Sequence, residues 1–80
     1  MRVVDDATML DLRGLKCPLP VLRAQKALRT MAPGAALIVE CTDPMSVIDI
    51  PHFVNGAGHA LEDQSATDGV FVFVIRRSAA

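Results

Sequence analysis

From Val70 to Ile75 the chain reads VFVFVI, six apolar residues, every one β-branched or aromatic, entered through Thr67-Asp68-Gly69 and left through Arg76-Arg77. A run this short is far below the ~20 apolar residues of a membrane-spanning helix, and its residue types favour a pleated strand. The preceding Asp-Gly is a tight-turn signal. Phe71, Phe73 and Ile75 fall on one side and Val70, Val72 and Val74 on the other. A strand apolar on both sides needs neighbours within a sheet and cover over at least one face. An 80-residue chain has material for about one covering layer. The valines then form the outer face, where β-branched residues are tolerated; if exposed, they are a docking candidate.

The remaining segments supply the neighbours and the cover. TMLDL (Thr8–Leu12) alternates, with Leu10 and Leu12 on one side, and reads as a short strand. PLPVLRAQKALRTM reads as a helix with Val21, Ala24, Leu28 and Met31 on one stripe and Arg23, Lys26 and Thr30 roughly opposite. Leu22 sits off that stripe. Pro33 and Gly34 stop the helix. AALIVEC is a second strand, with Leu37, Val39 and Cys41 on one side. Thr42 or Asp43 can cap a second helix with Pro44 at its first position, and Pro51 should kink it or split it near Ile50. HALEDQSA gives a third, weaker strand centred on Ala60 to Asp63. MRVVDD reads as a loose lead-in. The expectation is an α+β fold: a two-layer α/β sandwich of βαβαββ order, a four-stranded mixed sheet with two helices on one face. A single domain should span 1–80, with its compact core at about 8–77.

Charge and cysteine content limit the function classes. The formal net charge is −1, so nothing in the bulk charge calls for nucleic acid, and no aromatic stacking platform accompanies Arg23, Lys26, Arg29, Arg76 and Arg77. Direct nucleic-acid binding is not expected. The first ten residues turn acidic before an apolar leader can form, and no apolar run is long enough to cross a bilayer, so a cytoplasmic protein without membrane partners is the expectation. Two cysteines, Cys17 and Cys41, make neither a disulfide scaffold nor a CxxC motif. Pairing them with His52 and His59 lacks the compact ligand spacing of a zinc site, so no metal and no cofactor is expected.

One thiol is oddly placed. In LKCPLPVLRAQK, Cys17 stands at the entrance of the first helix, between Lys16 and Pro18. With Cys17 as N-cap, Pro18 takes N1, Leu19 N2 and Pro20 N3. Because Pro20 has no N–H, the Leu19 amide would be the donor aimed at the sulfur. The helix dipole and the nearby Lys16, Arg23 and Lys26 would add positive potential, lowering the thiol pKa and favouring a thiolate or persulfide anion. Serine or aspartate caps better than cysteine, which suggests that sulfur chemistry selected the residue. The competing reading is a small buried hydrophobe. Cys41, in register with Leu37 and Val39, reads as core. With no resolving thiol and no Cys-His motif nearby, the residues favour a carried group over turnover in an enclosed pocket.

CPLP after DLRGLK, followed by a basic helix, then TDPMSVIDIPHF, GHAL, DG and a final apolar strand, resembles the TusA (SirA-like) family of sulfur carrier proteins from about Asp11 to Arg77. The resemblance implies the βαβαββ sandwich and makes Cys17, supported by Pro18, Leu19 and Pro20, the persulfide-carrying residue. It implies a sulfur donor, a cysteine desulfurase or rhodanese-like protein, and a downstream acceptor protein. The best-known destination in such families is tRNA thiolation; others are molybdenum-cofactor maturation and dissimilatory sulfur oxidation. Arg13 and Lys16 match the basic approach loop, and with Arg23 and Lys26 they are the expected partner-docking residues. Asp43 and Asp49 match the second helix block and read first as structural. A redox or regulatory binding module, with Cys17 switched by oxidation, is the alternative class.

Overall fold

The computed structural model describes residues 7–78, so the lead-in expected over MRVVDD lies outside the described residues. The order is β1 (Ala7–Leu12), α1 (Leu19–Thr30), β2 (Ala36–Cys41), α2 (Ser46–Gly56), β3 (Ala60–Thr67) and β4 (Val70–Arg76). The strands form one sheet in the order β1-β2-β4-β3, with β1 and β2 parallel and the other pairs antiparallel. This is the α+β two-layer arrangement read from the sequence, with both helices on one face of a mixed sheet.

β4, the most apolar strand, lies between β2 and β3. Its Phe73 and Ile75 are fully buried and pair with Val39 and Leu37 of β2. The core also takes Leu12, Cys41, Ala24, Leu28, Ile50 and Val54. On α1 the buried stripe is Pro20, Ala24 and Leu28, at i, i+4 and i+8, with Val21, Ala27 and Met31 half-buried beside it. The opposite face of the sheet carries Met9, Ile38, Val72 and Val74. Met9 is 60% exposed, whereas Ile38 and the valines are half-buried by their neighbours.

Two local expectations are corrected. Of the kink or split expected at Pro51, the split does not occur: α2 is one continuous helix of 11 residues with Pro51 inside it. A proline there removes only the bond to the carbonyl four residues back, that of Val47, whose side chain is 39% exposed, while Ile50 and Val54 stay anchored in the core. Nor does α2 begin at Pro44. Asp43 to Met45 form a preceding turn in which Ser46 N–H donates to the Asp43 carbonyl at 3.0 Å and Val47 N–H to that of Pro44 at 3.2 Å.

Candidate functional site

Because β1 and β2 are parallel, their C-terminal ends lie side by side, with Leu12 opposite Cys41. The two loops leaving those ends, each leading into a helix, therefore meet above the same edge of the core, a place where open sheets commonly bind ligands. Two hydrogen bonds join them. Gly14 N–H donates to Thr42 Oγ1 at 2.9 Å, and Cys17 N–H donates to Asp43 Oδ2. Gly14 makes its turn with φ +86°, a region that side-chain-bearing residues rarely adopt. Leu15 turns back, its N–H bonded to the Leu12 carbonyl at 3.2 Å and its side chain against the core.

Cys17 is exposed at this junction, preceded by Lys16 and followed by a cis Cys17–Pro18 peptide bond. It is not the N-cap of α1. Pro18 holds that position, Leu19 and Pro20 open the helix, and no side chain caps it. The Leu19 N–H donates to the Lys16 carbonyl at 2.8 Å, not to sulfur. The Cys17 thiol instead donates to Asp49 Oδ2, at 2.8 Å, from the first turn of α2.

That pairing reverses the expected electrostatics. The hydrogen bond to Asp49 pushes the Cys17 thiol above its ordinary value, and loss of solvation and the negative charges of Asp49 and Asp43 act in the same direction. The arrangement thus favours the thiol over the thiolate. Asp43 is held below the usual carboxylate range, first by the Cys17 N–H, then by the Met45 N–H donated at 3.2 Å, with a further contribution from the charge of Lys16.

The expected basic residues do not converge on the sulfur. Lys16 borders a hollow of about 180 Å³ with Gly14, Leu15, Thr42, Asp43 and Pro44. Arg13 is engaged by Asp11, its Nε 2.9 Å from Oδ1 and its Nη2 3.0 Å from Oδ2, with Glu40 at 3.9 Å. Arg23 and Lys26 line a groove between α1 and β1 with Leu10, Ala27 and Thr30. The first turns of the two helices instead expose Leu19, Leu22, Met45 and Ile48, the last at 63%. Cys41, as expected, is sealed in the core at 0% exposure, where burial pushes its thiol up. Cys17 is therefore the one thiol a partner can reach.

Sequence reasoning missed Asp49 as the thiol's partner and Asp43 as the anchor of its backbone. They lie 32 and 26 residues away along the chain, and only the parallel pairing of β1 with β2 brings them to Cys17. Their match to the second helix block was the available signal.

The fold and this exposed thiol define a small α+β protein built to present one sulfur atom to other proteins. The Sulfurtransferase TusA family model matches residues 8–77, and the chain belongs to that family of sulfur carriers. It is 45% identical over 69 residues to the sulfur carrier protein TusA of Allochromatium vinosum, covering 86% of this chain and 91% of that one. To the TusA of Pseudomonas putida it is 42% identical over 71 residues, with 89% of each covered. The crystal structure of a SirA-like protein from Desulfitobacterium hafniense superposes with a TM-score of 0.77 at 27% identity, covering 89% of this chain and 99% of that one. Among the described residues no helix is long and apolar enough to cross a membrane.

Proposed function

We propose that this protein receives sulfur on Cys17 as a persulfide and passes it to an acceptor protein in the cytoplasm, in a relay that ends in tRNA thiolation. The observation that carries the reading is the exposed Cys17 thiol, held by Asp49 and Asp43 where the two loops meet, while the second cysteine is sealed in the core. Loading joins Cys17–SH and a donor Cys–S–SH to give Cys17–S–SH and donor Cys–SH. The Cys17 sulfur attacks the donor's outer sulfur, the donor S–S bond breaks, and its electron pair leaves on the donor sulfur, which ends protonated. The donor is a cysteine desulfurase or a rhodanese-like protein. Delivery repeats the exchange with the acceptor's thiolate as nucleophile and Cys17 as leaving group.

Asp49 is a positioning residue here. Its carboxylate fixes the thiol and lies where the proton must go as the sulfur becomes nucleophilic. Leu19, Leu22, Met45 and Ile48 form an apolar rim that a docking partner would cover, excluding water from the exchange. Lys16, beside Cys17, and Arg23 and Lys26, in the groove between α1 and β1, steer an acidic partner toward the site.

The test is a two-stage transfer. Reduced protein is incubated with a cysteine desulfurase and radiolabelled cysteine, reisolated, and mixed with a candidate acceptor of the tRNA-thiolation relay. Label should appear on the Cys17 peptide and then leave it. Absence of label at Cys17 would remove the carrier reading. Loading without delivery to that acceptor, with thiolated tRNA at normal levels in a strain lacking the protein, would move it to another sulfur pathway.

A further inference from the structure

β1 and β3 are the two edges of the sheet, and they are treated differently. Exposed sheet edges carry unpaired backbone groups that invite another strand, and proteins usually blunt them with charges, bulges or prolines. β3 is blunted. Its pairing with β4 breaks register between Leu61 and Asp63, its charged residues Glu62 and Asp63 lie at the break, and Glu62 is tied to Arg76 by hydrogen bonds of 2.9 and 3.0 Å. β1 is blunted less: its one charged residue, Asp11, lies near its C-terminal end and is neutralised by Arg13, and the strand has no bulge. It pairs with β2 in unbroken register from Ala7 to Leu12 and contains no proline and no lysine. Among the described residues no strand lies on its other side.

The surface beside this open edge is cationic. The groove between β1 and α1 has a volume of about 540 Å³, with Leu10 and Ala27 half-buried in it and Arg23, Lys26 and Thr30 exposed along it. The Thr30 hydroxyl is turned to the Ala27 carbonyl at 3.0 Å, leaving the two cations as the groove's charged groups. Arg13 and Arg76 are both held in ion pairs, whereas among the described residues neither Arg23 nor Lys26 has one. Among the described residues, an edge without a neighbouring strand and a pair of cations without ion-pair partners therefore lie together. β1 also runs directly into the loop that presents Cys17, so a segment laid along it is led toward the sulfur.

We propose that the free edge of β1 and the groove beside it take an extended, acidic segment of a partner protein as a fifth strand. Backbone groups of the segment would bond the outward N–H and C=O groups of β1, and alternate acidic side chains would reach Arg23 and Lys26. This recognition requires no persulfide and is separate from the sulfur chemistry of Cys17.

The test uses a blocked six-residue peptide of alternating valine and glutamate, matched to the length of β1. Two analogues are N-methylated at alternate residues, one along each edge, and a control replaces glutamate with lysine. Titration into the intact protein should slow hydrogen exchange at alternate amides of Ala7–Leu12, as read by NMR. One methylated analogue should bind like the parent and the other at least about tenfold more weakly, because an added strand uses only one of its edges. The double variant R23E/K26E should reverse the preference to the lysine peptide. Three outcomes would each overturn the proposal: no protection along β1 at millimolar peptide, equal binding of both methylated analogues, or an unchanged charge preference in the double variant.

Discussion

Exchanging sulfur for oxygen at each cysteine in turn separates packing from chemistry. Cys41 is at 0% exposure, between Leu12 of β1 and Phe71 of β4 in the sheet register. A hydroxyl buried there costs about 1–3 kcal/mol when unpaired. The Ser46 hydroxyl lies beside Cys41 and donates to the Asp43 carbonyl at 2.6 Å, so its oxygen is available to accept from the new group. That sets the cost of Cys41→Ser at about 1–2 kcal/mol. A folded chain of 80 residues has roughly 4–12 kcal/mol in hand, at about 0.05–0.15 kcal/mol per residue, so the variant stays folded. At about 4–8 °C per kcal/mol its melting temperature should fall by roughly 4–16 °C. Cys17→Ser changes an exposed position and leaves a hydroxyl that can still donate to Asp49, so its melting temperature should stay within about 4 °C of the parent. Function should divide the other way. After treatment with a desulfurase and cysteine, intact mass should show one added sulfur on Cys41→Ser and none on Cys17→Ser. The reasoning fails if the Cys17 variant gains transferable sulfur, or if its melting temperature falls further than that of the Cys41 variant.

Asp49→Asn removes the carboxylate that raises the Cys17 thiol, so the pH profile of iodoacetamide alkylation should move to lower pH; an unmoved profile would show that Asp49 does not set it. Asp11, held at about 2 by Arg13, and Asp43 and Glu62, also held low by the groups they accept from, all have folded values below their unfolded ones. Their stabilisation is therefore complete above the ordinary carboxylate values of 3.8 to 4.5 and lost as pH falls toward about 2. Urea midpoints should drop across that window, less steeply in high salt because Asp11 and Glu62 are exposed; midpoints flat from pH 5 to 2 would contradict it. Ile48→Glu places a charge among the exposed apolar residues of the proposed docking surface and should weaken binding to the sulfur donor roughly thirtyfold while leaving the circular dichroism spectrum unchanged. Calorimetric titration that gives the parent affinity would remove Ile48 from the docking surface.

Where local pattern decides structure, the sequence was a sound guide. The alternation in β4, the apolar register of Leu37, Val39 and Cys41, and the turn at Asp68-Gly69 each fix an element without help from distant residues. Pro51 does not split α2, because its local tendency to break a helix is outweighed by Ile50 and Val54, both fully buried. Cys17 misled for a similar reason. A free peptide of this sequence could cap its helix with sulfur, but here the Leu19 N–H is already bonded to Lys16, and a carboxylate from α2 takes the thiol proton's hydrogen bond. The position of Cys17 was legible. Its electrostatic environment was not, because it is set by a strand pairing between segments far apart in the chain.

With Cys17 as the proposed persulfide carrier, that environment would act differently on the empty and the loaded form. In the empty form the hydrogen bond to Asp49, loss of solvation and the charges of Asp49 and Asp43 disfavour a thiolate at the Cys17 sulfur, which favours the less nucleophilic thiol. In the loaded form the charge sits on the outer sulfur, about 2 Å farther along the S–S bond from the atom Asp49 contacts. The repulsion that suppresses the thiolate is weaker at that distance, so the same site that restrains the bare thiol tolerates the persulfide anion. A carrier needs this asymmetry, since it must survive unloaded among many electrophiles and still hold a reactive sulfur once loaded. It also accounts for a cysteine between parallel-strand loops in preference to one at a well-formed helix cap. A cap would stabilise the anion on the inner sulfur, whereas a carboxylate held at 2.8 Å disfavours charge on that sulfur while the protein is unloaded and no donor is docked.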